Sequence, residues 1–547
     1  MKKLSIITLV SLIALVHFTA CSVQKMQTAM TKTHTLAVQN TPAYKQLNPA
    51  QQDIVYFFET LSIGYPKWEE KISPSDLALT KDRLITQFSK TQDKTLLTIE
   101  LQKVLARLED GHTSIQHVYN AQDKVFPLGF MAYHDSLILT SISNKSDTTI
   151  LGSTLLTVND LEWSDILQKS KIIMSVENNS RLVRELRGYL GSPKFLKITG
   201  IHDNNNPLKL TFLTSKNKIK TIYLQAEIKP KFSSITIKPT PFSTNKAYHT
   251  VLMPKQDMAY IKVGTFLDYT VLKDGIGDYV RNPIFLLIGK SFMKKQKTKS
   301  NALDFKAFFS QAIAQANEAK VNNVVIDLRS NSGGDMRLAS EMFYLLGIDT
   351  MPKLYRLAEK VSTYPLQQMK EEYEEKGKVY EKAYGKPLTA DGSIIHFDSL
   401  MDNHYADFFN LVKNPSKPIF YINPNTPRFK GKIYFLINPH TFSAASITAS
   451  LAKDNHLGTL VGVKTGNRPT TATGGLAFKL PNLKIPVNMS YMYVTRPDPT
   501  QPIEDGIMPD AEVWQTLEDG QKGVDTVMDW VIKDIQSKRK IGLVGSF

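Results

Sequence analysis

Cysteine is almost missing from this chain: among 547 residues there is one, Cys21. A single thiol excludes a disulfide-stapled scaffold, a cysteine-only zinc site and a cysteine-ligated iron–sulfur cluster. Long apolar runs are scarce as well. The N-terminal one, residues 4–18, falls short of the ~20 residues that cross a bilayer comfortably. No internal repeat of roughly 20–50 residues is visible. Blocks of like charge are also absent. The formal net charge is +16, but the lysines are scattered rather than gathered in one tract, so a basic solvated surface is the plain reading, not a nucleic-acid footprint. What remains is a globular chain. Hydrophobic residues at 42% and charged residues at 22% exclude wholesale disorder, and the length calls for two or three domains.

Lys2 and Lys3 precede the apolar run, which ends in Thr19-Ala20-Cys21. This is the layout of a secretory signal, and it resembles the bacterial lipoprotein signal, in which the cysteine is lipidated and becomes the first residue. Phe18 stands where that signal usually has leucine. The resemblance implies a signal peptide over 1–20, lipidation at Cys21, a polar tether over 21–47, and a lipid-anchored location in the cell envelope, on the periplasmic face or at the outer membrane.

Beyond the tether the pattern divides. Over 48–118, Ile54, Phe57, Phe58 and Leu61, then Leu97, Ile99, Leu101, Val104, Leu105 and Leu108, recur at helical spacing and predict a small helical unit. Over 119–228 short β-type runs dominate (137–140, 154–158, 208–212), with one helix over 163–174. Their order resembles a PDZ-like peptide-binding module, without a legible carboxylate-binding loop. Residues 229–256 hold a stretch rich in proline, serine and lysine and read as a linker. Over 257–537, strands at 258–263, 324–328, 432–437, 460–462 and 487–494 alternate with helices at 303–320, 338–345, 443–451 and 524–535, the pattern of a mixed α/β sheet with helices on its faces. A stretch at about 347–430 breaks that rhythm and reads as an insertion near the site, with a charge-dense, solvated helix over 370–382.

Three segments could carry chemistry. Leu108-Glu109-Asp110-Gly111-His112-Thr113 ends the helical unit, and Asp110 and Thr113 are groups that can orient an imidazole. Val325-Ile326-Asp327-Leu328-Arg329-Ser330-Asn331-Ser332-Gly333-Gly334-Asp335 is a strand running into two glycines. They make either a tight turn or a place where backbone N–H groups meet a substrate carbonyl. Asn438-Pro439-His440-Thr441-Phe442-Ser443-Ala444-Ala445-Ser446 joins a strand to a helix. Ser443 there is either an N-cap or a nucleophile beside helix N-terminal amides that can stabilise an oxyanion.

Together these segments resemble the S41 peptidase family, its C-terminal processing proteases and, more closely, its tricorn-like branch. Residues 325–335 are similar to the family's DLRxNxGG signature, 441–445 to its TxSAA segment, 108–113 to its LxDGHT segment, 506–510 to its GIxPD segment, and 258–261 to the strand that opens its core. The resemblance implies a serine peptidase that works through an acyl-enzyme and needs no metal or nucleotide. Ser443 would be the nucleophile, with Ser446 as the alternative. Gly333 or Gly334, with the N–H of Ala444, would form the oxyanion hole. The processing proteases take a lysine as base, but Arg468 falls at that position, and arginine does not deprotonate usefully. The tricorn-like branch implies a histidine, which His112 supplies; His440 and Lys464 are rivals. Glu504, or Asp505 beside it, would orient the base. The substrate would be an extended peptide. The other class open to this sequence is a binding protein, an S41 fold that has lost catalysis and holds peptides or partners.

Overall fold

The computed structural model describes residues 33–115, 123–268, 304–348, 351–397 and 426–544. The signal segment and Cys21 lie outside them. Among the described residues no helix is long and apolar enough to cross a membrane.

The sheet that positions the site is built from 248–512. Its strands run in the order Ala511–Glu512, Thr459–Gly462, Lys432–Ile437, Asn323–Asp327, Met258–Val263 and Tyr248–Met253. All neighbours are parallel except the last pair. Both faces are covered, as parallel strands require, so the strands read as unbroken apolar runs with period-two sorting. Ala259, Ile261, Val324, Ile326, Ile433, Phe435 and Ile437 face one core, filled by the helices Phe305–Glu318, Met336–Leu345 and Ala444–Asp454. Met258, Tyr260, Val325, Tyr434 and Leu436 face the other, closed by Val527, Met528 and Val531 of the helix Thr526–Val544. Each fully buried Phe or Ile of this set contributes about 1.5–3 kcal/mol by leaving water.

A second sheet ties distant parts of the chain together. The strand Pro486–Thr495 pairs with Thr471–Lys479, with Arg356–Lys360 and with the two-residue strand Ser114–Ile115. The helices Pro49–Gly64, Pro74–Gln87 and Lys94–Ala106 pack on it, sharing one core with Tyr364, Phe478, Val487 and Met489. A third, antiparallel sheet, Leu128–Tyr133, Ser136–Ser143, Thr154–Val158, Leu208–Leu213 and Ile219–Leu224, forms the β-rich unit.

Several expectations change. The tether cannot reach residue 47, because His34, Leu36 and Tyr44 are buried and His34 Nε2 meets the Thr60 hydroxyl at 3.0 Å. The β-rich unit holds three helices rather than one: Trp163–Lys171, Asn179–Tyr189 and Pro193–Ile198. The linker carries the strand Tyr248–Met253, which puts the edge of the core sheet before residue 257. The insertion is woven into the second sheet through Arg356–Lys360. Its charged helix, Lys370–Tyr384, is not wholly solvated: Lys376 and Tyr373 are buried on it and both bond the Glu359 carboxylate, at 2.6 Å each.

Candidate active site

Asn323–Asp327 and Lys432–Ile437 are adjacent and parallel, so the loops that leave their carboxyl ends emerge side by side, where open α/β sheets form their crevices. One loop carries Gly333 and Gly334, the other Ser443. The signature side chains clamp these loops. Arg329 bonds Asp327 and, bidentately, Asp525 at 2.9 and 2.7 Å, and the Tyr260 hydroxyl donates to Asp327 at 2.7 Å. Burial works against the charge on Asp327, but Arg329 outweighs it and holds the carboxyl below the usual carboxylate range. Asn331 is fully buried. Its amide donates to the Val263 carbonyl at 3.0 Å, its Oδ1 accepts the Gly333 N–H at 2.8 Å, and its own carbonyl accepts the Phe442 N–H at 3.1 Å. The Thr441 hydroxyl closes the clamp on the Leu328 carbonyl at 3.0 Å.

Ser443 precedes the helix Ala444–Asp454 at φ 54°, ψ −128°. This is a conformation that non-glycine residues rarely adopt and that clusters at functional sites. Its hydroxyl does not cap the helix, so the N-cap reading fails. Its N–H is fixed instead by Asn467 Oδ1 at 3.1 Å. Gly333 lies against it: a Cβ there would sit 2.7 Å from Ser443 Cβ and 3.1 Å from the Ala444 nitrogen. The two glycine amides differ. The Gly333 N–H is spent on Asn331; among the described residues the N–H groups of Gly334 and Ala444 have no protein acceptor. Ser446 is buried and bonds Thr465 Oγ1 at 3.0 Å, a structural arrangement that leaves Ser443 as the accessible hydroxyl of the turn.

His112 reaches the same place from the helical unit. Its ring packs on Phe442, the residue before Ser443, with centroids 4.6 Å apart and planes at 32°. Nε2 faces the Thr473 hydroxyl at 3.5 Å, and Nδ1 lies 3.4 Å from Asp110 Oδ1. Among the described residues no hydrogen bond joins His112 to Ser443. Asp110 is buried and accepts the His112 N–H at 2.8 Å, the Thr113 hydroxyl at 2.5 Å and the Ser490 hydroxyl at 2.7 Å. Burial pushes its carboxyl up, but His112, Thr113 and Ser490 outweigh this and hold it below the usual range.

Glu504 is not brought to the histidine. It is exposed, and among the described residues its one bond is through its carbonyl, which accepts Arg468 Nε at 2.9 Å; Asp505 pairs with Lys464 at 2.6 Å. The buried carboxylates at the imidazole are Asp110 and Glu177, and the sequence reading missed Glu177 because it sits in another domain's loop with no motif around it. Asn467 was missed too, although it lies in the segment aligned with the family's lysine. Arg468 is a clasp rather than a base. Its guanidinium pairs with Glu109 at 2.8 Å and its N–H donates to Glu177 at 2.6 Å, which anchors the loop that presents His112. His440 has both ring nitrogens turned to Arg184 and Arg187, away from any proton-transfer role.

Donor atoms of Asp110, His112 and Glu177 lie within 4.8 Å of one another, the composition of a metal site. Every carboxylate oxygen of the trio already accepts an N–H or O–H, so the geometry is that of a hydrogen-bonded brace. Burial and the facing Asp110 push Glu177 up to about 8, against the pull of the Arg468 and Gly111 N–H groups. The folded chain therefore keeps a proton that the unfolded chain releases above ~4.3. Stability should fall as the pH rises from there to about 8 and level off beyond. Glu177→Gln cannot ionise, so its stability relative to wild type should improve between pH ~5 and ~8. Denaturant midpoints at both pH values read this, and a gap that does not move with pH would refute it.

Residues 258–513 match the model of peptidase family S41. Among solved structures, mature CPAF aligns over 89% of this chain and 96% of its own, with 15% identity and a TM-score of 0.55. CPAF complexed with lactacystin aligns over 89% and 98%, with 15% identity and the same TM-score. The photosystem II D1 C-terminal processing protease aligns over 88% and 99%, with 13% identity and a TM-score of 0.38. No curated protein matches the sequence. At these identities the likeness to CPAF is one of fold. The family match covers the stretch that holds the sheet, the glycine loop and the serine turn, so it is the core of this chain, residues 258–513, that is similar to peptidase family S41.

Proposed function

We propose that this chain is an S41-type serine endopeptidase of the cell envelope that cleaves extended peptides through an acyl-enzyme. The observation that carries the reading is Ser443. It is held at a strained turn with its hydroxyl free of the capping duty that its position invites, packed against Gly333, and the N–H groups of the next residues along each loop, Gly334 and Ala444, have no protein acceptor among the described residues. In the proposed mechanism His112 takes the Ser443 proton as the hydroxyl oxygen attacks the scissile carbonyl. The developing oxyanion is met by the N–H groups of Gly334 and Ala444. His112 passes the proton to the leaving amine, and water, deprotonated by the same histidine, releases the acyl group. Asp110 orients the imidazole and stabilises its charged form, the role first sought in Glu504. The contacts of His112 tighten when substrate fills the crevice, as catalytic hydrogen bonds are often loose in an empty site. A fluorophosphonate probe tests the reading: wild type should label stoichiometrically and Ser443→Ala should not. A chain that never labels and cleaves no peptide would overturn it.

The location belongs to the same proposal. The run over 4–18 followed by Thr19-Ala20-Cys21 supports lipid anchoring at Cys21. One acyl chain binds membranes only marginally, so stable anchoring takes more than one. Cys21→Ser should move the protein from the membrane pellet to the soluble fraction. Co-sedimentation of the variant at high salt would place the anchor elsewhere.

A further inference from the structure

The helix Asn179–Tyr189 of the β-rich unit is docked beside the serine turn: the Asn178 side chain that caps it also donates to the Thr465 carbonyl at 3.0 Å. The helix turns three arginines, Arg181, Arg184 and Arg187, toward the segment His440–Ser443. Arg181 stacks its guanidinium over the Phe442 ring, 4.1 Å from the centroid. Arg184 bonds His440 Nδ1, and Arg187 faces His440 Nε2 at 3.4 Å. A neutral imidazole has one lone-pair nitrogen, and its other nitrogen carries hydrogen. Two guanidinium donors therefore compete for one acceptor, and one of the two contacts sets N–H against N–H. Arg184 Nε adds a buried donor with no acceptor among the described residues. The carboxylate of Glu185 is shared by Arg181 at 3.1 Å and Arg184 at 2.7 Å and also attracts Arg187, so among the described residues the three guanidiniums draw chiefly on one carboxylate, with Glu177 adding to Arg181. Arginine does not relieve such crowding by losing its proton.

We propose that Arg184 and Arg187, with His440 between them, form a subsite for a carboxylate of the peptide substrate. A carboxylate is the ligand that the geometry lacks: it has acceptor pairs for both guanidiniums, a planar fork that matches them, and a compensating charge. The surroundings agree. Burial together with Arg184, Arg187 and Arg181 holds His440 well below its ordinary value, so it stays neutral and adds no fourth charge. Arg187 is exposed, which opens the cluster to solvent. The position fits a substrate role as well. His440 is three residues before Ser443, so their Cα atoms lie within ~11 Å, and a bound carboxylate sits only a few substrate residues from the scissile bond. It can be supplied by an acidic side chain or by the peptide's own C-terminus.

The inference rests on the peptidase reading but is tested apart from it, by binding to Ser443→Ala. Seven-residue alanine peptides with one Glu walked along the chain and an amidated end are compared with Gln counterparts, and an all-alanine peptide with a free C-terminus is compared with its amide. A Glu at one position, or the free C-terminus, should tighten binding roughly 10-fold or more, as a charge-assisted bond does; which of the two responds identifies the source of the carboxylate. The preference should collapse in Arg187→Gln and in Arg184→Gln on the same background, while Gln and amide peptides bind as before. Arg187→Gln alters an exposed side chain and secures the test if Arg184→Gln fails to fold. Equal binding of acid and amide forms, a preference that survives both substitutions, or no binding of any peptide would overturn the subsite. Binding with the expected preference but no cleavage by wild type would keep the subsite and sink the peptidase.

Discussion

Ser443→Ala should be a folded protein with no measurable peptidase activity, down by ~10⁴ or more, the loss that follows removal of a triad member. Both halves of that expectation come from the turn. The hydroxyl makes no capping bond, so truncating it leaves no orphaned partner. The backbone strain at φ 54° is borne by alanine as by serine. The N–H bond to Asn467 at 3.1 Å belongs to the backbone and survives. Stability should therefore stay within ~0.5 kcal/mol of wild type, as for substitutions that break no contact. Cleavage of a peptide library, read beside the unfolding midpoint, checks the two halves separately. Turnover like that of wild type would remove Ser443 from the mechanism, and a collapse in stability would mean that its role is structural.

His112→Ala should lower kcat by ~10²–10⁴, the contribution of a positioned general base, while Lys464→Ala should be nearly silent. Lys464 is held by a partly exposed pair with Asp505 at 2.6 Å, and such pairs contribute ~0–1 kcal/mol. Arg468→Ala should fall between them. It loses the pair with Glu109 that steadies the histidine loop, but it keeps the backbone N–H that reaches Glu177. Kinetics of the three variants on one substrate decide the matter. A dead Lys464→Ala beside a His112→Ala that keeps most activity would transfer the base to the lysine.

Much of the core was legible because it obeys simple periodicities. Lys432–Ile437 and Met258–Val263 were read from apolar runs and have those bounds. Thr471–Lys479 was not read, since Gly474 and Gly475 in its middle look like a turn; the partner that makes it a strand, Pro486–Thr495, imposes the conformation from outside. The insertion was misjudged for a related reason. Arg356–Lys360 has no strand signature strong enough to stand alone, and it acquires one by pairing with the same strand. At the site, motif order pointed to His112, Ser443 and the glycines. The residues beside His112 offered Asp110 as an orienter and the family resemblance offered Glu504; the carboxylate against the imidazole is Asp110, and what the local segment does not show is its burial beside Ser490 from the far end of the chain. Burial of that kind is a property of the assembled fold, and no local pattern encodes it.

The clamp around Arg329 also sets a timetable for biosynthesis. The ribosome releases the His112 loop early, the glycine loop later and the serine turn later still, yet Arg329 does not find its second carboxylate until Asp525 has emerged. The N-terminal helices must wait as well, since they share their core with Phe478, Val487 and Met489, and the bonds from Arg329 to Asp525 form only once the segment that leads into the helix Thr526–Val544 has been made. A growing chain thus holds His112 long before Ser443 and both before the carboxylate that completes the clamp, and on the proposed mechanism a polypeptide that stops short of Asp525 carries both groups on an incompletely braced site.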